Sequence, residues 1–181
     1  CDRGDMYLTA GEEDLALKDY ESALACNKNS ALAHLRLSYV YEMQGFNEKA
    51  MKEADLCLRA KDKNFAAEGY MQKTSIRLRQ KREADCIPIY TTLITSKDIH
   101  VGRADRAYLY LDRANAHLKL NKPELALKDT IEVQKIFEKP SVPFLRTRAR
   151  THVALKNYSA AIEDFTAAIS NRSKSEVVNT A

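Results

Sequence analysis

Small and apolar side chains recur along this chain at intervals of three and four residues, the spacing of one face of an α-helix. In Gly11-Glu-Glu-Asp-Leu-Ala16-Leu-Lys-Asp-Tyr20-Glu-Ser-Ala23-Leu24 the face is Ala16, Tyr20, Ala23 and Leu24, with charged residues between. The same sentence is rewritten as Gly45-Phe-Asn-Glu-Lys-Ala50, as Asn121-Lys-Pro-Glu-Leu-Ala126-Leu-Lys-Asp129 and as Lys156-Asn-Tyr-Ser-Ala-Ala161-Ile-Glu-Asp-Phe165-Thr-Ala-Ala168. The small anchors Ala16, Ala50, Ala84, Ala126 and Ala161 lie 34, 34, 42 and 35 residues apart. A period of this length means stacked units that each bury a face against the next. The pattern predicts helical hairpins with turns at Gly11, Gly45, Asn121 and Lys156, and no sheet.

The repeat resembles the tetratricopeptide family, whose pattern sets a small residue at repeat position 8, bulk at 11, alanine at 20, an aromatic at 24 and alanine at 27. The first repeat fills these with Gly4, Tyr7, Ala16, Tyr20 and Ala23, and the last with Ala149, His152, Ala161, Phe165 and Ala168. The second supplies Ser38, Tyr41, Ala50, Ala54 and Cys57, and the fourth Ala114, His117, Ala126, Thr130 and Val133. Small side chains let antiparallel helices approach, and bulky ones fill the space between hairpins. The resemblance implies an all-α fold, a right-handed superhelical solenoid of about five antiparallel helix hairpins. The repeats span 1–29, 30–63, 64–98, 104–139 and 141–173 as one array. Cys1 falls at position 5 of the first repeat and Ala181 at position 6 of a sixth, so the expectation is a portion of a longer array, able to self-associate through uncapped ends. The alternative for Cys1, a lipidated first residue, lacks the flexible tether expected after such an anchor.

The third repeat departs from this phase. In strict register Pro88 stands at position 24, inside a helix, where proline removes a hydrogen bond and clashes with the preceding turn at about 3 kcal/mol. The register must therefore slip. A longer first helix over Phe65 to Arg82 and a second beginning near Cys86 would put Pro88 in a first turn, where it is tolerated. The surplus then forms an extended loop over Thr95 to Arg103. Ser141 followed by Pro143 predicts a helix start.

Composition excludes more than it selects. The 181 residues are 45% hydrophobic with a formal net charge of +4, enough to bury a core without metal or disulfide staples. Apolar runs are too short to cross a membrane, and no basic segment leads into an apolar one at the amino terminus. Cys1, Cys26, Cys57 and Cys86 lie 25, 31 and 29 residues apart, without the close pair of a zinc or redox site, and read as reduced thiols of a cytoplasmic protein. No phosphate loop, paired histidine motif or nucleophile grouping suggests catalysis, so neither enzyme activity nor a cofactor or metal is expected. His34, His117 and His152 occupy packing positions, and His100 lies in the long loop. The sequons at Asn157 and Asn171 matter only in a secreted chain and are discounted. The basic run Lys73, Arg77, Arg79, Lys81 and Arg82 suits a solvated helix face or an acidic partner. An RNA-associated reading is the weaker alternative, since no aromatic platforms interleave with it.

Function is therefore sought on the surface of the repeats. Arginine at position 7 occurs together with aspartate at position 23 in repeats one, four and five: Arg3 with Asp19, Arg113 with Asp129, Arg148 with Asp164. The second repeat has Leu37 and Glu53 instead. In a closed hairpin the two positions face each other, which predicts structural ion pairs. The resemblance further implies a concave groove lined by the leading helices, where Arg36, Tyr39, Glu42, Asp112, Asn115, Lys119, Arg146, Thr147 and Arg150 would meet a protein or peptide partner carrying an acidic segment. The expected role is a scaffold or adaptor. Tyr110-Leu-Asp112-Arg113-Ala-Asn115 resembles the carboxylate-clamp subgroup of co-chaperones in outline. It departs at Asp112, where the clamp has asparagine, and at Pro143 and Thr147, where it has cations, so an acidic chaperone terminus would meet a like charge.

Overall fold

The computed structural model describes residues 1–178, with side chains through Asn171. The expectation for Ala181 lies outside the described residues, as do the side chains that follow Asn171 in its sequon. Among the described residues all regular structure is helical: α1 (Asp2–Thr9), α2 (Glu13–Cys26), α3 (Ala31–Met43), α4 (Asn47–Arg59), α5 (Ala66–Arg79), a 3-10 turn (Glu83–Asp85), α6 (Cys86–Thr95), α7 (Arg103–Lys119), α8 (Pro123–Ile136), α9 (Val142–Ala154) and α10 (Tyr158–Val178). The chain forms two compact units. One takes Cys1–Arg82 with Ser96–His100, the other Glu83–Thr95 with Val101–Ala181.

Each unit is made of antiparallel hairpins, α1 against α2 and α3 against α4 in the first, α7 against α8 and α9 against α10 in the second. The small residues explain the close approach. A Cβ on Gly4 would stand 2.6 Å from the Tyr20 ring, so only glycine fits beneath it. Ala16, Ala50, Ala114, Ala126 and Ala149 are wholly buried, and Ser38, equally buried, donates its hydroxyl to the Ala50 carbonyl at 2.7 Å. Leu35 and Cys57 join one core cluster of the first unit, while Leu111, Val133, Phe144 and Leu145 join that of the second. Each such large apolar side chain contributes about 1.5–3 kcal/mol.

The turns share one hydrogen-bond design. Gly11, Gly45, Lys81, Asn121 and Lys156 all have φ between 54° and 80°. Each donates its amide to the carbonyl three residues back, and the next residue donates to the carbonyl five back, as in Gly11 to Leu8 with Glu12 to Tyr7, and Lys156 to Val153 with Asn157 to His152. This is the Schellman motif, which satisfies carbonyls orphaned at a helix end and needs one left-handed residue. Ser30 and Ser141 cap α3 and α9, accepting the amides of Ala33 and Phe144.

Register in the third repeat slips, though not as the sequence suggested. The helix α5 stops at Arg79 rather than Arg82, because Lys81 takes the left-handed turn position that glycine or asparagine fills elsewhere. The buried anchor is then Cys86, at 0% exposure, and Ala84 is exposed. Tyr90 and Leu93 follow it inward. Pro88 lies in the first turn of α6 and has no amide hydrogen for the Ala84 carbonyl, which accounts for the tighter 3-10 geometry of Glu83–Asp85 before it. The segment between α6 and α7 has no regular structure, and its Asp98, Ile99 and His100 line a cavity with Lys63, Asn64 and Ala67.

Candidate interaction face

Charged side chains within each hairpin are largely committed to structure. Arg3 holds Asp19 through Nε and Nη2 at 2.7 and 2.6 Å, Arg113 holds Asp129 at 3.0 and 2.6 Å, and Arg148 holds Asp164 at 2.8 and 2.6 Å. Such two-pronged pairs fix orientation as well as distance. Hydrogen bonding to the aspartates raises the pKa of all three guanidinium groups, and the bond from Arg3 lowers that of Asp19. Arg113 also donates to Thr91 Oγ1 at 2.9 Å and lies over the Tyr110 ring, while Arg148 lies over Phe144.

In the second repeat, where Leu37 replaces the arginine, Glu53 is met by His34 instead, with Nδ1 to Oε2 at 2.7 Å. His34 stands one helical turn before position 7, and the longer glutamate reaches it. Its Nε2 faces the Lys28 carbonyl at 3.1 Å. Sequence reading treated His34 as packing alone and missed this substitute. The signal was present, since the arginine and aspartate were lost together.

A second set of polar contacts runs between leading helices within each unit. Asp5 at position 9 of α1 lies 2.9 Å from Arg36 Nε at position 6 of α3. Glu42 on α3 is almost wholly buried, accepting from Gln72 Nε2 at 2.6 Å and Ser75 Oγ at 2.7 Å, with Arg79 Nε at 2.9 Å, all on α5. Asn115 at position 9 of α7 donates to Thr147 Oγ1, position 6 of α9, at 3.4 Å and accepts from Arg150 Nη1 at 3.2 Å. Position 6 of one leading helix thus meets the helix before it through hydrogen bonds at Gln72 and Thr147, and at Arg36 through an ion pair whose Nε makes no hydrogen bond.

These contacts decide which expected site residues remain available. In the first unit Arg36 and the half-buried Tyr39 line an open furrow of about 450 Å³ with Asp5, Leu8, Thr9 and Met43. Burial pushes the Tyr39 hydroxyl pKa up. Glu42 faces no ligand, being enclosed by α5. In the second unit Lys119 is spoken for, with Nζ 2.5 Å from Glu83 Oε1. Thr147 is buried and Arg150 half engaged by Asn115. Arg146 is exposed and has no hydrogen bond or ion pair among the described residues. Asp112 is likewise without one, although it occupies position 6. Its residue surface is open to water, yet burial raises its carboxyl pKa.

The basic run is less free than its sequence suggests. Lys73 pairs with Asp55 at 2.6 Å, Arg79 with Glu42, and Arg77 donates to Gln80. None of the four cysteines is bonded to another, and burial pushes the Cys57 thiol up to about 11, which leaves it protonated and unreactive. No described helix is long and apolar enough to cross a membrane.

Comparison with known proteins places this geometry among helical-repeat folds. No protein-family model matches the chain, and no curated protein matches it by sequence. Among solved structures it is similar to MamA, at TM-score 0.77 and 17% identity, with 96% of each chain covered. It is also similar to YrrB, described as a TPR protein with an unusual peptide-binding site, at TM-score 0.70 and 16% identity, covering 92% of this chain and 81% of that one. A third likeness is to PilF of Pseudomonas aeruginosa, at TM-score 0.70 and 18% identity, covering 91% and 71%. At such identities the likeness establishes the fold, that of tetratricopeptide hairpins.

Proposed function

We propose that this chain is an interaction module, a scaffold or adaptor without catalysis of its own, and that α7 and α9 of the second unit receive an extended, acidic segment of a partner protein. The observation that carries the reading is the state of the cations on α9. Arg146 is exposed with no bond among the described residues, and Arg150, one helical turn on, has a single amide partner in Asn115. The third arginine of α9, Arg148, is bound to Asp164 and Gln134, so these two are the arginines of that helix left for a ligand. Asn115 is already half exchanged between Thr147 and Arg150 through long bonds that a peptide backbone can replace. The peptide-binding site named for YrrB, a protein of the same fold, supports the choice of a peptide as ligand.

Two other readings find less support. A carboxylate clamp would place Asp112 against the ligand's own carboxylate and has Thr147 buried where a cation is needed. An RNA-associated role draws on a basic run whose Lys73 and Arg79 are bound to Asp55 and Glu42. The test is selection of displayed random 12-residue peptides by the native protein and by R146E/R150E. The native protein should enrich acidic peptides whose binding weakens about tenfold in the double variant and falls as salt rises, since exposed charges are screened beyond about 8 Å. Acidic enrichment that survives the double reversal would sink the proposal.

A further inference from the structure

Repeat position 28, next to the buried position 27 of each trailing helix, is aliphatic in every repeat but the fourth. With Cys86 as position 20 of the third repeat, it is Leu24, Leu58, Ile94 and Ile169, against Gln134 in the fourth. Inside the chain this side chain closes the junction with the next hairpin. Leu24 packs in one apolar cluster with Leu37, at position 7 of α3. The Leu58 side chain lies 3.1 Å from where a Cβ on Gly69, position 3 of α5, would stand. Ile94 is 7% exposed. After the fourth repeat, positions 3 and 7 are Phe144 and Arg148, and Gln134 turns to the arginine, its Oε1 accepting from Nη1 at 2.9 Å. The place left uncovered is a pocket of about 250 Å³ within the second unit. Val133 and Phe144 are its most enclosed members, and Phe137 and Pro140 complete the apolar lining from more open positions.

We propose that this pocket binds one aliphatic side chain, a leucine or isoleucine, of a partner protein, which completes the junction as Leu24, Leu58 and Ile94 do from within the chain. The fold itself names the occupant, since the equivalent junctions hold a branched aliphatic group at this place. A volume of about 250 Å³ exceeds the roughly 150 Å³ of an engineered apolar cavity that takes a benzene ring, so space does not limit entry. Tyr108 meets the Phe137 ring edge-on at 6.4 Å, which holds that part of the lining in place. Gln134 gives its oxygen to Arg148, so its amide nitrogen keeps two N–H donors without a partner among the described residues. They suit the backbone carbonyl beside the entering side chain. Glu138 also lines the pocket but is exposed, so its charge keeps its water and does not bar an apolar group. Arg146, Arg150 and Asn115 are not among the lining residues, and the pocket stands or falls independently of the acidic-segment reading.

The experiment selects displayed random peptides with R146E/R150E, in which the acidic-segment face is reversed, and challenges them with Q134L and Q134M added to that variant, each restoring an apolar side chain at position 28. Circular dichroism shows that the variants are folded. In thermal melts neither addition should lower the midpoint, because the new side chain covers Val133 and Phe144. The selected peptides should share a leucine or isoleucine, and Q134L should weaken their binding about tenfold. Exchange of the shared residue for alanine should weaken binding to R146E/R150E about tenfold and change binding to its Q134L form little. In nuclear magnetic resonance spectra of the complex, the methyl groups of that residue should show Overhauser contacts to the Phe137 ring. Enrichment without a shared aliphatic position, enrichment that survives both Q134L and Q134M, or no enrichment at all overturns the inference. So does a midpoint lowered by both substitutions. None of these outcomes bears on the acidic-segment reading, which is tested by the native protein against R146E/R150E.

Discussion

Truncating Arg113 to methionine tests what the repeated arginine–aspartate pair contributes. The side chain of Asp129 is 5% exposed and that of Arg113 17%, so water does not replace the two bonds lost. Removing one partner of a buried pair leaves the other charge desolvated, which destabilises by about 3–5 kcal/mol. Thr91 is not orphaned, since its hydroxyl also donates to the Ile87 carbonyl. The same change at Arg148, with exposures of 24% and 7%, should fall toward the lower end of that range. At Arg3, whose side chain is 75% exposed, it should be the smallest of the three, because solvent screens the pair. The double variant R113M/D129L should regain most of the loss, because well-packed apolar replacements of a buried pair are often neutral. Urea denaturation followed by far-ultraviolet circular dichroism measures all four. A cost below about 1 kcal/mol for R113M, or one equal to that of R3M, would refute the argument that burial sets the value of these pairs.

The turn and the buried imidazole give two further tests. K156G should raise the melting temperature, since a left-handed lysine is strained by about 1–2 kcal/mol and glycine's lost freedom costs only about 0.5–1, whereas G45A should lower it even though its added Cβ meets no atom within 4 Å; a lower melt for K156G or a higher one for G45A would show that the turn geometry is misjudged. Burial lowers the pKa of His117 from its ordinary 6.5, and its Nδ1 has no partner, so the unfolded chain takes up the proton first. Stability should therefore fall as pH drops from about 6.5 toward the depressed folded value, and melts of H117L over that interval should lack this part of the slope; an unchanged slope would contradict it.

What the sequence revealed and what it hid have physical causes. Period and small-residue spacing display the hairpins, because close helix packing tolerates few side chains at those positions. Glycine and asparagine mark the left-handed turns at Gly11, Gly45 and Asn121, but at Lys81 the turn carries no such mark, and α5 ends three residues before the point the sequence pattern suggests. Cys86 was overlooked as an anchor because Ala84 looks more ordinary, although a thiol is equally small and apolar. Pro88 nonetheless announced the slip. The face residues were legible as positions and not as states. Whether Arg36, Lys119 or Arg146 is free depends on partners such as Asp5 and Glu83, which lie 31 or more residues away in sequence and are brought near by helix packing.

The central claim is that α7 and α9 receive a peptide through Arg146 and Arg150. Its most direct test is a nuclear magnetic resonance titration of the protein with the tightest displayed peptide, following the Asn115 side-chain amide and the Arg146 and Arg150 Nε signals. The account predicts that these move first and saturate together, and that R146E/R150E abolishes the movement at low salt while the helical spectrum persists. Shifts confined to α8 and α10, with the Asn115 and arginine signals unmoved at saturation, would contradict it.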